Sequence, residues 1–157
     1  MFDKVATYLD ETGIPFAKNE SGDTITFLAR MHNSSFHCVL EIKEPMSFLV
    51  FYTTISSIVP ENRRAAISEL LTRINYNTLI GNFEMDFGDG EIRYKTSIDY
   101  EGTELSHKTL GNLISANLSI ADDYFYTIVK GISTDLSPIE ILDAKEAKRE
   151  NIIDNAV

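Results

Sequence analysis

Three histidines and one cysteine are the chain's whole stock of imidazole and thiol, so each arrangement they could make can be checked. A nucleophile needs a base within hydrogen-bond reach, and a zinc site needs three or four converging ligands. His37 and Cys38 are neighbours in sequence. On a strand, neighbouring side chains leave opposite faces, so these two do not form a thiolate–imidazole pair. His32 stands an odd number of residues from His37, beside a turn. His107 falls in the first turn of a predicted helix. Cys38 shares a strand face with Phe36, Leu40 and Ile42 and reads as a small buried hydrophobe.

The acids at Glu84, Asp86, Asp89 and Glu91 raise the questions of calcium binding and of acid–base catalysis. The EF-hand loop pattern is absent. Alternation puts Glu84 and Asp86 on a strand with basic cross-strand partners, so these acids read as solvated strand and turn charges. Asp86-Phe87-Gly88 matches the kinase triplet by letters only, without a catalytic loop or glycine-rich phosphate loop. There is no Walker A loop, dinucleotide fingerprint or G-x-S-x-G elbow. The residues therefore predict no catalytic site, no metal, no cofactor and no enzyme activity.

What remains is aromatic. Tyr76 and Tyr126 each fall on the polar side of an otherwise well-sorted helix. Phe48-Leu49-Val50-Phe51-Tyr52 is apolar on both faces of a strand and wants cover on both. A second layer, a partner subunit or a ligand would each supply it. Phe48, Phe51, Tyr52, Tyr76 and Tyr126 are the candidate partner-contact residues, because tyrosine and phenylalanine are enriched at interfaces.

The elements that position these residues follow from periodicity. Phe2, Val5, Ala6 and Leu9 predict a helix over 2–12, stopped by Gly13. Residues 23–55 read as β, with Phe36, Cys38, Leu40 and Ile42 on one face. Ile67, Leu70, Leu71 and Ile74 form the apolar stripe of a helix that Pro60 opens. Residues 83–100 predict an antiparallel hairpin with Asp89-Gly90 as a type I′ tip. That tip would put Phe87 opposite Ile92, Asp86 opposite Arg93 and Glu84 opposite Lys95. A long helix follows over 106–130, N-capped by Ser106 with a Leu105–Leu110 staple and Gly131 as its stop. Its apolar stripe runs through Leu110, Leu113, Ile114, Asn117, Leu118 and Ala121 to Ile128, with Asn112, Ser115, Ser119, Asp122, Asp123, Tyr126 and Lys130 opposite. Ser137-Pro138-Ile139-Glu140 is a capping box with a Leu136–Ile141 staple, opening a last helix. The expected organisation is one domain over 1–150 and a flexible tail over 151–157.

The chain has 157 residues, 43% hydrophobic and 24% charged, which is a globular balance. Its net charge is −10, from 24 acids against 14 Lys and Arg, and the basic residues are scattered along the chain. Nucleic acid and anionic membranes are recognised by cationic patches, so both are set aside as partners. No signal peptide and no membrane-spanning run are visible, and a lone cysteine forms no internal disulfide. The expected location is the cytoplasm.

Read together, the helix ending Leu70-Leu71-Thr72-Arg73-Ile74-Asn75 and the segment Gly81-Asn82-Phe83-Glu84-Met85-Asp86-Phe87-Gly88-Asp89-Gly90-Glu91-Ile92-Arg93-Tyr94 resemble the YbjN domain family, bacterial proteins described as sensory transduction regulators. The likeness extends through the 106–130 helix to Ser137-Pro138-Ile139-Glu140. It implies an α+β fold like that of type III secretion chaperones, with elements in the order α-β-β-β-(β)-α-β-β-α-α and a mainly antiparallel sheet of five or six strands. It also implies a non-enzymatic regulatory or chaperone-like protein-binding domain, commonly a homodimer, that holds an extended partner segment. The alternative function is a small-ligand binder with a pocket between sheet and long helix.

Overall fold

The computed structural model describes the backbone of residues 1–154 and the side chains of residues 1–149. Ten elements follow the chain: α1 (Phe2–Glu11), β1 (Phe16–Lys18), β2 (Thr24–Arg30), β3 (Ser35–Lys43), β4 (Phe48–Ile55), α2 (Arg64–Tyr76), β5 (Asn82–Met85), β6 (Ile92–Asp99), α3 (His107–Ser133) and α4 (Pro138–Asp154). The six strands form one antiparallel sheet in the order β1-β2-β3-β4-β6-β5. This is the expected α+β order, with the bracketed fourth strand present. Part of the expected 151–157 tail overlaps α4, and residues 155–157 lie outside the described residues.

The period-2 pattern sorts the sheet. Ile25 and Phe27, Phe36 to Ile42, Leu49, Phe51 and Ile55, and Ile92 and Tyr94 turn one face into the core. The helices cover that face only. α3 crosses β4 and β6, and α2 and α1 pack beside it. The α2 stripe of Ile67, Leu70, Leu71 and Ile74 is buried, as is the α3 stripe from Leu110 to Ile128 at the positions its period selects. Burying an aliphatic side chain of this kind stabilises by roughly 1.5–3 kcal/mol before entropy is counted.

Asn117 is the polar member of the α3 stripe. Its Nδ2 lies 3.1 Å from the Phe51 carbonyl, 3.3 Å from that of Tyr94 and 3.1 Å from Thr96 Oγ1. It therefore ties α3 to the two central strands. Its Oδ1 is buried without a partner among the described residues.

Local signals hold where they are short-range. Ser106 caps α3 by accepting from the Thr109 N–H at 3.0 Å, and Leu105 and Leu110 are both buried beside it. The capping box of α4 closes, with the Ser137 N–H donating to Glu140 Oε2 at 2.8 Å and the Glu140 N–H reaching Ser137 Oγ at 3.4 Å.

Two expectations fail. Gly131 does not stop α3, which runs two residues beyond it. It is buried where α2 crosses, and a Cβ there would come 2.9 Å from Ile67 Cδ1 and from Leu70 Cδ2. Glycine serves close helix approach here, and Arg63 donates to its carbonyl at 2.9 Å.

The hairpin forms, but not in the predicted register. Met85 pairs with Ile92, Glu84 with Arg93 and Phe83 with Tyr94, a slip of two residues. Phe87 does not face Ile92, and Asp86 does not face Arg93. Asp86 Oδ1 instead accepts from the Gly88 N–H at 2.6 Å, and Asp89 Oδ1 from the Glu91 N–H at 2.8 Å. The two acids thus organise a six-residue loop in place of a two-residue turn. Gly90 is no tip: its φ is +84°, and a Cβ would run into the Val59 carbonyl. A two-residue slip keeps every side chain on its own face, so alternation could not detect it.

Candidate protein-binding surface

An antiparallel sheet exposes unpaired backbone at both edges unless something covers it. The β5 edge is covered. α2 lies alongside, and the Asn75 amide bonds both backbone groups of Phe83. The other edge is not closed in this way. β1 pairs only with Ile25, Thr26 and Phe27, while β2 continues through Leu28, Ala29 and Arg30 with no strand beyond them.

Beside those three residues lies an open groove of about 640 Å³. Ile14, Pro15, Phe27, Leu28, Met31 and Leu118 supply its apolar walls, with Gly13, Ala29 and Arg30 completing it. Gly13 ends α1 at φ +70° and Pro15 starts the extended chain, so α1 and β1 splay apart where the groove opens. Leu28 is 56% exposed. The turn that follows β2 is fastened to α3. Asn33 in the β2–β3 turn donates its N–H to Asp122 Oδ1 at 2.9 Å, and the Ser34 N–H reaches the same oxygen at 3.2 Å. Helical periodicity had put Asp122 on the solvated side of α3; it is buried because it accepts these turn amides. No local pattern points to that partnership 89 residues away.

The candidate contact residues do not share one surface. Phe51 is fully buried and stacks on Phe27 at 5.8 Å, so it belongs to the core of this chain. Phe48 and Tyr52 lie on the sheet face that no helix covers, with Val39, Val50, Lys95 and Thr54. The Arg93 guanidinium sits 4.2 Å from the Tyr52 ring centroid. Arg93 and Lys95 reach Glu84 at 2.5 and 2.8 Å. Burial opposes ionisation of Glu84, but the Lys95 and Arg93 bonds outweigh it and hold the carboxyl below its usual range. Tyr76 is 89% exposed at the end of α2, and Tyr126 is 61% exposed on α3 next to α4. Sequence reasoning missed the groove, since Ile14, Met31 and Leu118 come from three separate segments.

Cys38 is buried against Thr53, and burial pushes its thiol up to about 11. His107 Nδ1 pairs with Glu11 at 2.9 Å and its ring meets Tyr8 edge-on. Among the described residues no three His, Cys, Asp or Glu side chains gather as a metal site, and no helix is long and apolar enough to cross a membrane.

The family model of YbjN, described as a putative bacterial sensory transduction regulator, matches residues 2–129, and the chain belongs to that family. No curated protein matches the sequence. Solved structures share the fold at low identity. The crystal structure of YbjN from E. coli, described as a putative transcription regulator, is 10% identical over 78% of this chain and 86% of its own, with a TM-score of 0.60. A chain of the ExsC–ExsE complex is 12% identical over 80% and 90%, at 0.55. A chain of the HopA1–SchA chaperone–effector complex is 15% identical over 79% and 91%, at 0.51.

Proposed function

We propose that this chain is a non-enzymatic, chaperone-like regulatory domain that binds another protein by accepting an extended segment at the open edge of β2. The observation that carries the reading is the pairing of unused strand backbone at residues 28–30 with an apolar groove beside it. Strand addition takes affinity from main-chain hydrogen bonds and specificity from alternate side chains in pockets. A helix or a folded surface would not pair the outward-facing backbone groups of residues 28–30, whose other groups bond β3. Two structural neighbours belong to complexes of two proteins, which supports a protein as partner.

The same reading includes a cytoplasmic homodimer. Phe48, Val50 and Tyr52 lie on a sheet face without helical cover, ringed by Lys43, Glu41, Lys95 and Asp99. An apolar centre with a charged rim is the anatomy of a subunit contact.

The experiment is capture of partners from the native host with wild type, a Leu28→Glu/Met31→Glu variant, and Tyr52→Ala as a control on the far face. A polypeptide bound by wild type and by Tyr52→Ala, but lost from the groove variant, is the expected result. Hydrogen exchange should then show new protection at residues 28–30 in the complex. A partner retained by the folded groove variant would remove this site.

A further inference from the structure

α4 begins beyond the family match, which ends at residue 129, and it builds a second cleft against α3. Ile141, Ala144, Lys145 and Lys148 recur at i, i+3, i+4 and i+7, so they form one stripe of α4, with Arg149 beside it. That stripe faces Asp123, Tyr126, Thr127 and Lys130 of α3 across an open space of about 470 Å³. Ile141 and Ala144 supply an apolar floor.

The cleft's charge is opposite to that of the chain. Of 14 Lys and Arg in a molecule of net charge −10, four line this one cleft: Lys130, Lys145, Lys148 and Arg149. Their only carboxylate neighbour in the lining is Asp123. Asp123 is shared by Lys145 at 3.1 Å and Arg149 at 2.8 Å, which holds α4 to α3. Lys145 also donates to the Asp123 carbonyl at 2.7 Å and lies 4.4 Å over the Tyr124 ring. Burial lowers its ammonium below the usual range despite those bonds. Lys130 and Lys148 have no ion-pair partner among the described residues. Fastening α4 accounts for two of the four cations and leaves two pointing charge at the cleft.

Tyr126 completes the site. Its ring meets Phe125 edge-on at 5.4 Å, is 61% exposed and forms one wall. An aromatic wall, an apolar floor and two unpaired ammoniums call for a ligand with a flat ring and more than one negative charge. A carboxylate brings one charge; a diphosphate brings two or three in a compact group that several ammoniums can reach. The volume lies within the range of small-ligand sites. We propose that the α3–α4 cleft binds a nucleotide, with Lys130 and Lys148 on its phosphates and Tyr126 against its base. The cleft is separate from the β2 groove, so partner and nucleotide occupy different sites.

Titration calorimetry of the full chain at low salt tests this with ADP, adenosine, tripolyphosphate and a Glu-rich peptide as probes. ADP should bind saturably and lose affinity as salt rises. Lys130→Ala/Lys148→Ala should weaken ADP at least about tenfold, the loss of one or two charge-assisted bonds. Tyr126→Ala should weaken ADP several-fold and leave tripolyphosphate unchanged. The lysines make no described ion pair, so melting temperatures of the unliganded variants should match wild type, and Leu28→Glu should bind ADP normally. No saturable ADP binding up to about 1 mM, equal ADP binding by the double-lysine variant, or tighter binding of the peptide than of ADP would each overturn the assignment.

Discussion

The side-chain amide of Asn75 lies against the backbone of Phe83, donating to its carbonyl at 2.9 Å and accepting from its N–H at 2.8 Å. One residue at the end of α2 thus stands where the next strand of the sheet would be. Asn75→Ala should cost about 1–3 kcal/mol in urea denaturation, since it frees two backbone groups of an edge strand. Asn75→Asp keeps the acceptor and loses the donor, so it should fall between wild type and alanine. An alanine variant as stable as wild type would show that water replaces the amide without cost.

Gly90 and Gly102 offer a paired test of close approach. Both have positive φ, +84° and +68°, but a Cβ at Gly90 meets the Val59 backbone while one at Gly102 meets nothing within 4 Å. Gly102→Ala should cost about 1–2 kcal/mol, the left-handed penalty alone. Gly90→Ala should cost more, about 2–4 kcal/mol, because backbone must also move. Equal losses in thermal denaturation would mean the loop shifts away from Val59 freely.

Asn117 can be tested by truncation. Asn117→Ala removes the donor shared by Phe51 O, Tyr94 O and Thr96 Oγ1 from a site with no solvent exposure. A loss of about 2–4 kcal/mol is expected, from the unsatisfied groups and the cavity together. Chemical denaturation measures it, and a change under 1 kcal/mol would mean that the carbonyls are fully satisfied by the β4–β6 ladder.

The Glu84 cluster makes stability depend on pH in a definite direction. Its folded carboxyl titrates below the ordinary value of 4.5. Its contribution is therefore complete above about 4.5 and is lost as pH falls through the lower folded value. Glu84→Gln should be less stable than wild type by about 0.5–1 kcal/mol at pH 7, the modest size being set by solvent screening. The two curves should converge near pH 2. A gap that persists there would trace to packing of the side chain rather than to its charge.

The sequence carried the elements further than it carried their junctions. Stripes such as Ile67 to Ile74 and Phe36 to Ile42 were legible because burial repeats with the backbone's own period. The β5–β6 register was not, since Glu84 reaches both Arg93 and Lys95 and charge matching favours neither alignment. Asp122 and Gly131 were misread for a common reason. Each is set by a partner remote in sequence, the Asn33–Ser34 turn for one and α2 for the other. The groove was invisible for that reason too. Its floor, Leu118, could be placed on the buried stripe, but not beside Ile14 and Met31.

The unequal edges of the sheet set its pairing valence. One edge is occupied by a side chain that cannot be extended, and at the other β2 runs three residues past the end of β1. Three residues of strand span about 10 Å, enough for one short segment in register. A segment seated there would lie in the same row as β1 and meet its end, which bounds its length on that side. With so short a backbone register on offer, discrimination between segments would fall to the side chains that fill the groove.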